Sequence, residues 1–252
     1  MIDIHCHLMP GVDDGSSDFA ESLSMGETAY ACGVTDIIAT PHCNIPDSYG
    51  NYYGAGYEQA FDELKKLFAD NRIPLTLHKG MEVFGTDDLG ELYDAGRVIT
   101  LAGSRYMLVE FDFHDDAWRV REVILSLLRR GVAPVIAHPE RYDMVQYDLQ
   151  FALDWVEMGC LLQLNRTSIL PDSTGAVTET AKRLLSLGAV HAVATDAHSI
   201  FTRTTELLDA YDAIAAGYSE EWAKILTEEN PRRIIENRRV KRLPRLDAEW
   251  SY

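Results

Sequence analysis

The chain has 252 residues, 46% of them apolar, and a formal net charge of −17. That length and apolar content suit one large α/β domain with its own core and exclude a low-complexity chain. So acidic a surface repels phosphate backbones, which excludes nucleic acid as the default partner, and no apolar run approaches the ~18 residues of a membrane-spanning helix.

The predicted elements alternate between strand and helix. Residues 2–7 read as an apolar strand, and 17–31 as an amphipathic helix stopped by Gly33. A short strand is expected over 36–40. A helix over 57–71 carries Phe61, Leu64, Leu67 and Phe68 at helical spacing. A third strand follows over 75–80, then short apolar runs at 98–101 and 106–111. Helices over 118–130, 151–158 and 178–187 alternate with strands over 133–137, 161–165 and 191–195. The remainder reads as helical: 202–216, 219–227, and a helix opened by Asn230-Pro231, a cap residue followed by proline in the first turn. Residues 219–252 are taken as a helical tail.

Strands alternating with helices imply parallel βα units. About seven of them fit a distorted TIM-like (β/α)7 barrel better than an open sheet. No linker interrupts the chain, so 1–252 reads as a single domain. Met1 opens a strand with no basic leader, and a cytoplasmic location is expected. The four cysteines, Cys6, Cys32, Cys43 and Cys160, form no CxxC pair and read as reduced thiols.

His5 and His7 lie two residues apart on the first strand and therefore share a face. Two imidazoles side by side are half of a metal site. The remaining ligands recur at the ends of later apolar runs: His42, Glu82, Glu110, His138, Asp196 and His198, with Asp13 or Asp14 in the first loop. Glu82 and Glu110 sit in apolar surroundings, where an unpaired carboxylate would cost several kcal/mol and a cation compensates it. Nitrogen and oxygen donors without thiolate favour Mn²⁺, Fe²⁺ or Zn²⁺. The loop 44–56, rich in glycine and tyrosine, directly follows His42 and should overhang the site. Its Tyr49, Tyr52 and Tyr53, with Tyr57, read either as substrate-packing rings or as residues that order the loop.

This constellation resembles the polymerase-and-histidinol-phosphatase (PHP) superfamily of metal-dependent phosphoesterases. The stretch from Asp3 to Gly15 (DIHCHLMPGVDDG), Ala39-Thr40-Pro41-His42, His138-Pro139-Glu140-Arg141-Tyr142 and Thr195-Asp196-Ala197-His198 look most like its capsular-polysaccharide branch of bacterial protein tyrosine phosphatases, the CpsB type. The resemblance runs from residue 1 to about 240. It implies a PHP-type barrel with three divalent ions, Mn²⁺ before Fe²⁺ or Zn²⁺. By that analogy the first ion takes His5, His7, Glu82 and Asp196. Glu82 bridges to a second, held also by Glu110 and His138. Asp14, His42 and His198 hold the third, with Asp14 favoured over Asp13 by the family pattern alone.

The expected chemistry is phosphomonoester hydrolysis, with a water acidified between paired ions attacking phosphorus in line. Arg141 and Arg203 match the family's phosphate-binding arginines, a role guanidinium suits by bidentate bonding. With His42 they form the expected catalytic set. The resemblance implies a phosphorylated bacterial tyrosine kinase with a tyrosine-rich tail as substrate and partner. Histidinol phosphate or another small phosphomonoester is the alternative, direct membrane insertion is not expected, and self-association stays open. A Cys-x5-Arg match at Cys160 and Arg166 reads as accidental, because Leu-Leu-Gln-Leu-Asn is an apolar strand without the glycines of a phosphate cradle.

Overall fold

A computed structural model describes residues 1–246. Nine strands form among the described residues: β1 Ile2–Cys6, β2 Asp36–Ala39, β3 His42–Cys43, β4 Thr76–Lys79, β5 Glu82–Phe84, β6 Tyr106–Glu110, β7 Ala133–Ala137, β8 Leu161–Asn165 and β9 Ala192–Ala194. Every ladder is parallel, as the intervening helices require. The strands pair as two sheets, ordered β1-β2-β4 and β3-β5-β6-β7-β8-β9.

The division has a local cause. Two adjacent strands break at the same level: β2 passes into β3 through Thr40-Pro41, and β4 into β5 through Gly80-Met81. Ala39 pairs with Lys79 below the break, and His42 with Glu82 above it. Pro41 has no N–H for a ladder. At Gly80 the backbone passes so close to Ile38 that a Cβ would lie 2.6 Å from its Cγ2. On the other side β1 meets the segment that follows β9 at one isolated bridge, Cys6 to Ala197, flanked by Asp196 N–H to His5 O at 2.8 Å and His7 N–H to Ala197 O at 2.9 Å. The expected (β/α)7 barrel is corrected accordingly: the parallel βα framework is present, but no closed ring of ladders forms among the described residues.

One cluster joins the sheets, with Ile2, Ile4 and Ile38 packing with Leu108, Val135 and Ala192. A larger one lies against the helices, among them Phe19–Ala31, Ala55–Asp70, Ala117–Leu128 and Ala176–Ser186. The first is opened by Asp18, whose carboxylate accepts Glu21 N–H, and the third by Asp116, which accepts Trp118 and Arg119 N–H.

Four expectations change. Residues 98–101 form no strand; Leu101–Gly103 is a tight turn with Ala102 at φ 52°. The helix expected over 202–216 begins at Leu208, because the preceding segment folds as a loop carrying Arg203 at φ 52°. Asn230 is no cap: the chain is already helical through Ile225–Glu229, and its side chain instead donates to His191 O and Lys241 O. Helix ends at Ile235, residues 238–246 carry none, and the rest of the expected helical tail, 247–252, lies outside the described residues.

Candidate metal centre

The candidate ligands converge where strands end. β1 carries His5, with His7 just beyond it; Glu82 opens β5; Glu110 closes β6. His138 and Asp196 follow β7 and β9 closely, and both adopt the left-handed region, φ 35° and 52°. That conformation is uncommon for residues other than glycine and concentrates at functional sites. Here it marks where the chain turns out of the sheet.

Three histidines have their ring orientation set by an acceptor. His5 Nδ1–H donates to Gln163 Oε1 at 2.8 Å, His7 Nδ1–H to Asp13 Oδ2 at 2.8 Å, and His198 Nδ1–H to Asp196 O at 3.0 Å. Carbonyl and carboxylate oxygens only accept, so each neutral ring keeps Nε2 as a free lone pair. The Nε2 atoms of His5 and His7 stand 3.2 Å apart. His5 Nε2 is 3.2 Å from both Glu82 Oε1 and Asp196 Oδ1, and His7 Nε2 is 3.2 Å from Glu82 Oε2. Ligand atoms bound at ~2.1 Å around one cation stand about 3–3.5 Å from one another, so this spacing matches a coordination shell.

Donor atoms group into three compact sets: His5, His7, Glu82 and Asp196; His7, Asp14, His42 and His198; and His42, Glu82 and Glu110, with the atoms of each set within 4.8 Å of one another. His42 joins two sets through its two nitrogens. Its Nδ1 is 3.0 Å from Glu82 and 2.8 Å from Glu110, while Nε2 is 3.5 Å from Asp14 Oδ1, which in turn is 3.5 Å from His198 Nε2. His138 Nε2 is 3.0 Å from Glu82 Oε1 and 3.9 Å from Glu110 Oε2, close to both carboxylates but outside the three sets. The structure thus brings together all nine expected residues, and it differs from the expected partition by placing His42 beside Glu82 and Glu110.

Buried in this centre, the charges interact strongly. Burial alone would push the Glu82 carboxyl up, yet His5, His42 and His138 hold it well below the usual carboxylate range. Asp196 is likewise held far down by His5 and His7 against its burial. Burial lowers His42, but Glu82 and Glu110 outweigh it and raise the ring to about 10. The carboxylates therefore demand positive charge within their circle. Moreover, His42 Nδ1, Glu82 Oε2, Glu110 Oε1, Asp196 Oδ1 and His198 Nε2 are buried without a hydrogen bond. Each such orphan costs about 1–3 kcal/mol of desolvation. Divalent cations satisfy both demands, and an imidazole–carboxylate donor set fits Mn²⁺, Fe²⁺ or Zn²⁺.

Arg141 and Arg203 line one cleft of about 390 Å³ together with Asn165, Ser168 and Thr178. Arg141 stacks over Phe113, its guanidinium carbon 4.3 Å from the ring centre. Arg203 is tied to the centre itself, with Nη2 at 2.5 Å from Asp196 Oδ2 and Nε donating to Asp196 O at 3.1 Å. In the tyrosine-rich loop, Tyr49 lies parallel to the His42 ring at 5.9 Å. The others order the loop and its helix: Tyr52 donates to Asn44, Tyr53 to Glu58 and Tyr57 to Gly80 O. Cys160 is buried ahead of β8, its thiol pushed up to about 12 by that burial, and Arg166 pairs with Asp209, so the two form no phosphate cradle.

Four further polar residues that the spacing of ligand types does not single out brace the centre. Asp3 accepts Thr195 N–H and O–H and so anchors β1 to the segment carrying Asp196. Glu140 accepts Asn165 N–H and Ser168 O–H. Gln163 and Asn165 contact His5 and Asp196. The signal was present in β8, where two amides on one face interrupt an apolar strand.

Comparison with known proteins agrees with this geometry. A family model described as capsular polysaccharide synthesis, CpsB/CapC, matches residues 1–236. The chain is 31% identical to the tyrosine-protein phosphatase YwqE of Bacillus subtilis, over 97% of this chain and 95% of that protein. It is 32% identical to the tyrosine-protein phosphatase CpsB of Streptococcus pneumoniae, over 93% and 98%. A crystal structure from the pair YwqE and CpsB, described as unique metal-dependent tyrosine phosphatases, superposes with a TM-score of 0.91 at 30% identity, covering 99% of this chain and 100% of that one. A lactonase from Listeria monocytogenes shares the fold alone, with a TM-score of 0.58 at 12% identity.

Proposed function

Because the chain belongs to the CpsB/CapC family of capsular polysaccharide synthesis, we propose that it is a metal-dependent protein tyrosine phosphatase whose substrate is a phosphorylated bacterial tyrosine kinase. The observation that carries this reading is the grouping of buried imidazole and carboxylate donors into three adjoining sets, five of their residues carrying a buried atom without a hydrogen bond, with Arg203 bonded to Asp196 at their edge.

Three divalent ions, Mn²⁺ in the first place, would be held by His5, His7, Glu82 and Asp196; by Glu82, Glu110 and His138; and by Asp14, His42 and His198. His42, whose Nδ1 meets Glu82 and Glu110, links the last two groups. When bound, such ions acidify water to a nucleophile and neutralise charge developing on phosphoryl oxygens. The protein's own residues do the rest. Arg141 and Arg203 grip the phosphate from the cleft wall. Phe113 holds the Arg141 guanidinium flat, and Asp196 fixes Arg203. Tyr49 closes the far side over His42. A phenolate leaving group, with a pKa near 10, needs less help from a general acid than an alkoxide, which favours an aryl phosphate. Among the described residues no helix is long and apolar enough to cross a membrane, in keeping with an enzyme that meets its kinase from the cytoplasm.

The test is hydrolysis of a phosphotyrosine peptide and of histidinol phosphate side by side, after EDTA and after Mn²⁺ is restored. The expected result is activity lost with EDTA, regained with Mn²⁺ and favouring the peptide. A preference for histidinol phosphate overturns the substrate, and indifference to EDTA overturns the metal.

A further inference from the structure

We propose that Gln163 and Asn165 act together as positioning residues that fix the His5 tautomer and the direction of the Asp196 carboxylate, an inference that rests on the metal-dependent reading above. Both lie on β8 two positions apart, and therefore on one face. Both are buried, 0% and 4% exposed. An apolar residue would fill such a position without the cost of burying an amide, so their polarity calls for partners, and the partners are specific.

The direction of the chain is determined at each link. Gln163 Nε2 donates to Leu164 O at 2.7 Å and to Asn165 Oδ1 at 3.0 Å. With its nitrogen engaged, Gln163 presents Oε1 to His5 Nδ1 at 2.8 Å, and an oxygen there can only accept. In the neutral ring the proton is therefore held on Nδ1, and Nε2 is left to face Glu82 and Asp196. Asn165 Oδ1 is occupied by Gln163, so its Nδ2 donates to Asp196 Oδ2 at 2.5 Å. That leaves Asp196 Oδ1, which makes no hydrogen bond, directed at His5 Nε2. Asn165 is itself pinned through its backbone N–H to Glu140 Oε1 at 2.9 Å. Two candidate ligands far apart in the chain are thus held by one hydrogen-bonded pair on β8, with Arg203 sharing Asp196 Oδ2.

The experiment is Mn²⁺ titration of chelator-stripped protein by calorimetry, with the His5 tautomer read from long-range ¹H–¹⁵N spectra of the metal-free protein at alkaline pH, where the ring is neutral. Gln163→Met keeps the length and removes the acceptor; Gln163→Glu restores an acceptor to His5 but gives up the donor to Leu164 O and Asn165 Oδ1. Expected are a Mn²⁺ affinity about 10–100-fold weaker in Gln163→Met with loss of the single Nδ1–H tautomer, and recovery of that tautomer in Gln163→Glu. Asn165→Ser removes the donor to Asp196 and one of the two acceptors of Gln163 Nε2; with Leu164 O still holding that amide, it is expected to weaken Mn²⁺ binding while leaving His5 in one tautomer. Wild-type affinity in folded Gln163→Met or Asn165→Ser overturns the proposal. Wild-type protein that binds no Mn²⁺ yet shows the single tautomer, lost in Gln163→Met, overturns the metal reading and upholds the control of His5.

Discussion

Asp13 Oδ2 accepts from His7 Nδ1 at 2.8 Å and from the backbone N–H of His42 at 2.7 Å. One carboxylate thereby orients one candidate ligand and seats another. The loop that carries it is held tight against β1: a Cβ on Gly15 would lie 2.4 Å from both His7 Cβ and His7 O. Asp14, one residue on, has a side chain about half exposed and reaches His42 and His198 instead. The two adjacent carboxylates therefore do different work, which the family pattern alone did not explain.

Asp13→Ala strips the acceptor from His7 and from the His42 N–H. It is expected to cost about 1–3 kcal/mol of stability and to weaken Mn²⁺ binding roughly 10–100-fold. Asp14→Ala removes a half-exposed group and should stay within about 0.5 kcal/mol of wild type while phosphatase turnover collapses. Thermal unfolding of the metal-free variants beside a Mn²⁺ titration separates the two, and equal melting losses would reject the division of roles.

His138 combines a proposed ligand with a strained backbone at φ 35°. Asparagine tolerates that conformation better than alanine. Both His138→Asn and His138→Ala should abolish turnover, but the alanine variant should be the less stable by about 1 kcal/mol. Wild-type-like turnover in either variant would remove His138 from the site.

The two arginines should fail differently. Arg203 is bonded to Asp196 through Nη2 and Nε, so Arg203→Ala frees a proposed ligand and should lower both kcat and Mn²⁺ affinity. Arg141 rests on Phe113, so Arg141→Ala should raise KM for a phosphotyrosine peptide and leave Mn²⁺ affinity unchanged. Steady-state kinetics at saturating Mn²⁺, with calorimetry, distinguish the patterns.

Cys160 is buried and its thiol pushed up to about 12 by that burial, far from the thiolate a cysteine nucleophile requires. Cys160→Ser should retain nearly full turnover, with a small loss of melting temperature from a hydroxyl in an apolar setting. A large loss of turnover in folded Cys160→Ser would revive the cysteine reading.

What could be read from the chain was what alternation and chemical type carry. His5 and His7 on one strand face, and acidic or imidazole groups at strand ends, follow from a period of two. The crease at Pro41 and Gly80 was not legible, because it depends on two breaks falling at the same level of adjacent strands. The loop before Leu208 was not legible because the polar stretch from Thr202 to Leu207 carries no glycine or proline to mark a stop and is bent there by the bonds of Arg203 to Asp196. Gln163 and Asn165, and the division of work between Asp13 and Asp14, were not legible for a similar reason. Their role lies in which atom of a neighbour they occupy, and spacing carries no such information.

His191 provides a pH dependence away from the metal centre. It is 2% exposed, accepts Leu162 N–H on Nδ1 at 3.2 Å, and has its backbone carbonyl held by Asn230. Burial, with the nearby Arg242, lowers its pKa from 6.5 to about 4. The unfolded chain therefore binds a proton that the folded chain refuses. Its contribution is complete above pH ~6.5 and declines as pH falls toward about 4, costing about 3 kcal/mol across that window. In His191→Met, which fills the pocket without titrating, this part of the slope should vanish. Urea unfolding of both proteins at pH 7 and at pH 5, without metal, measures it: a stability difference between the two pH values as large in His191→Met as in wild type would show that other groups set the acid sensitivity.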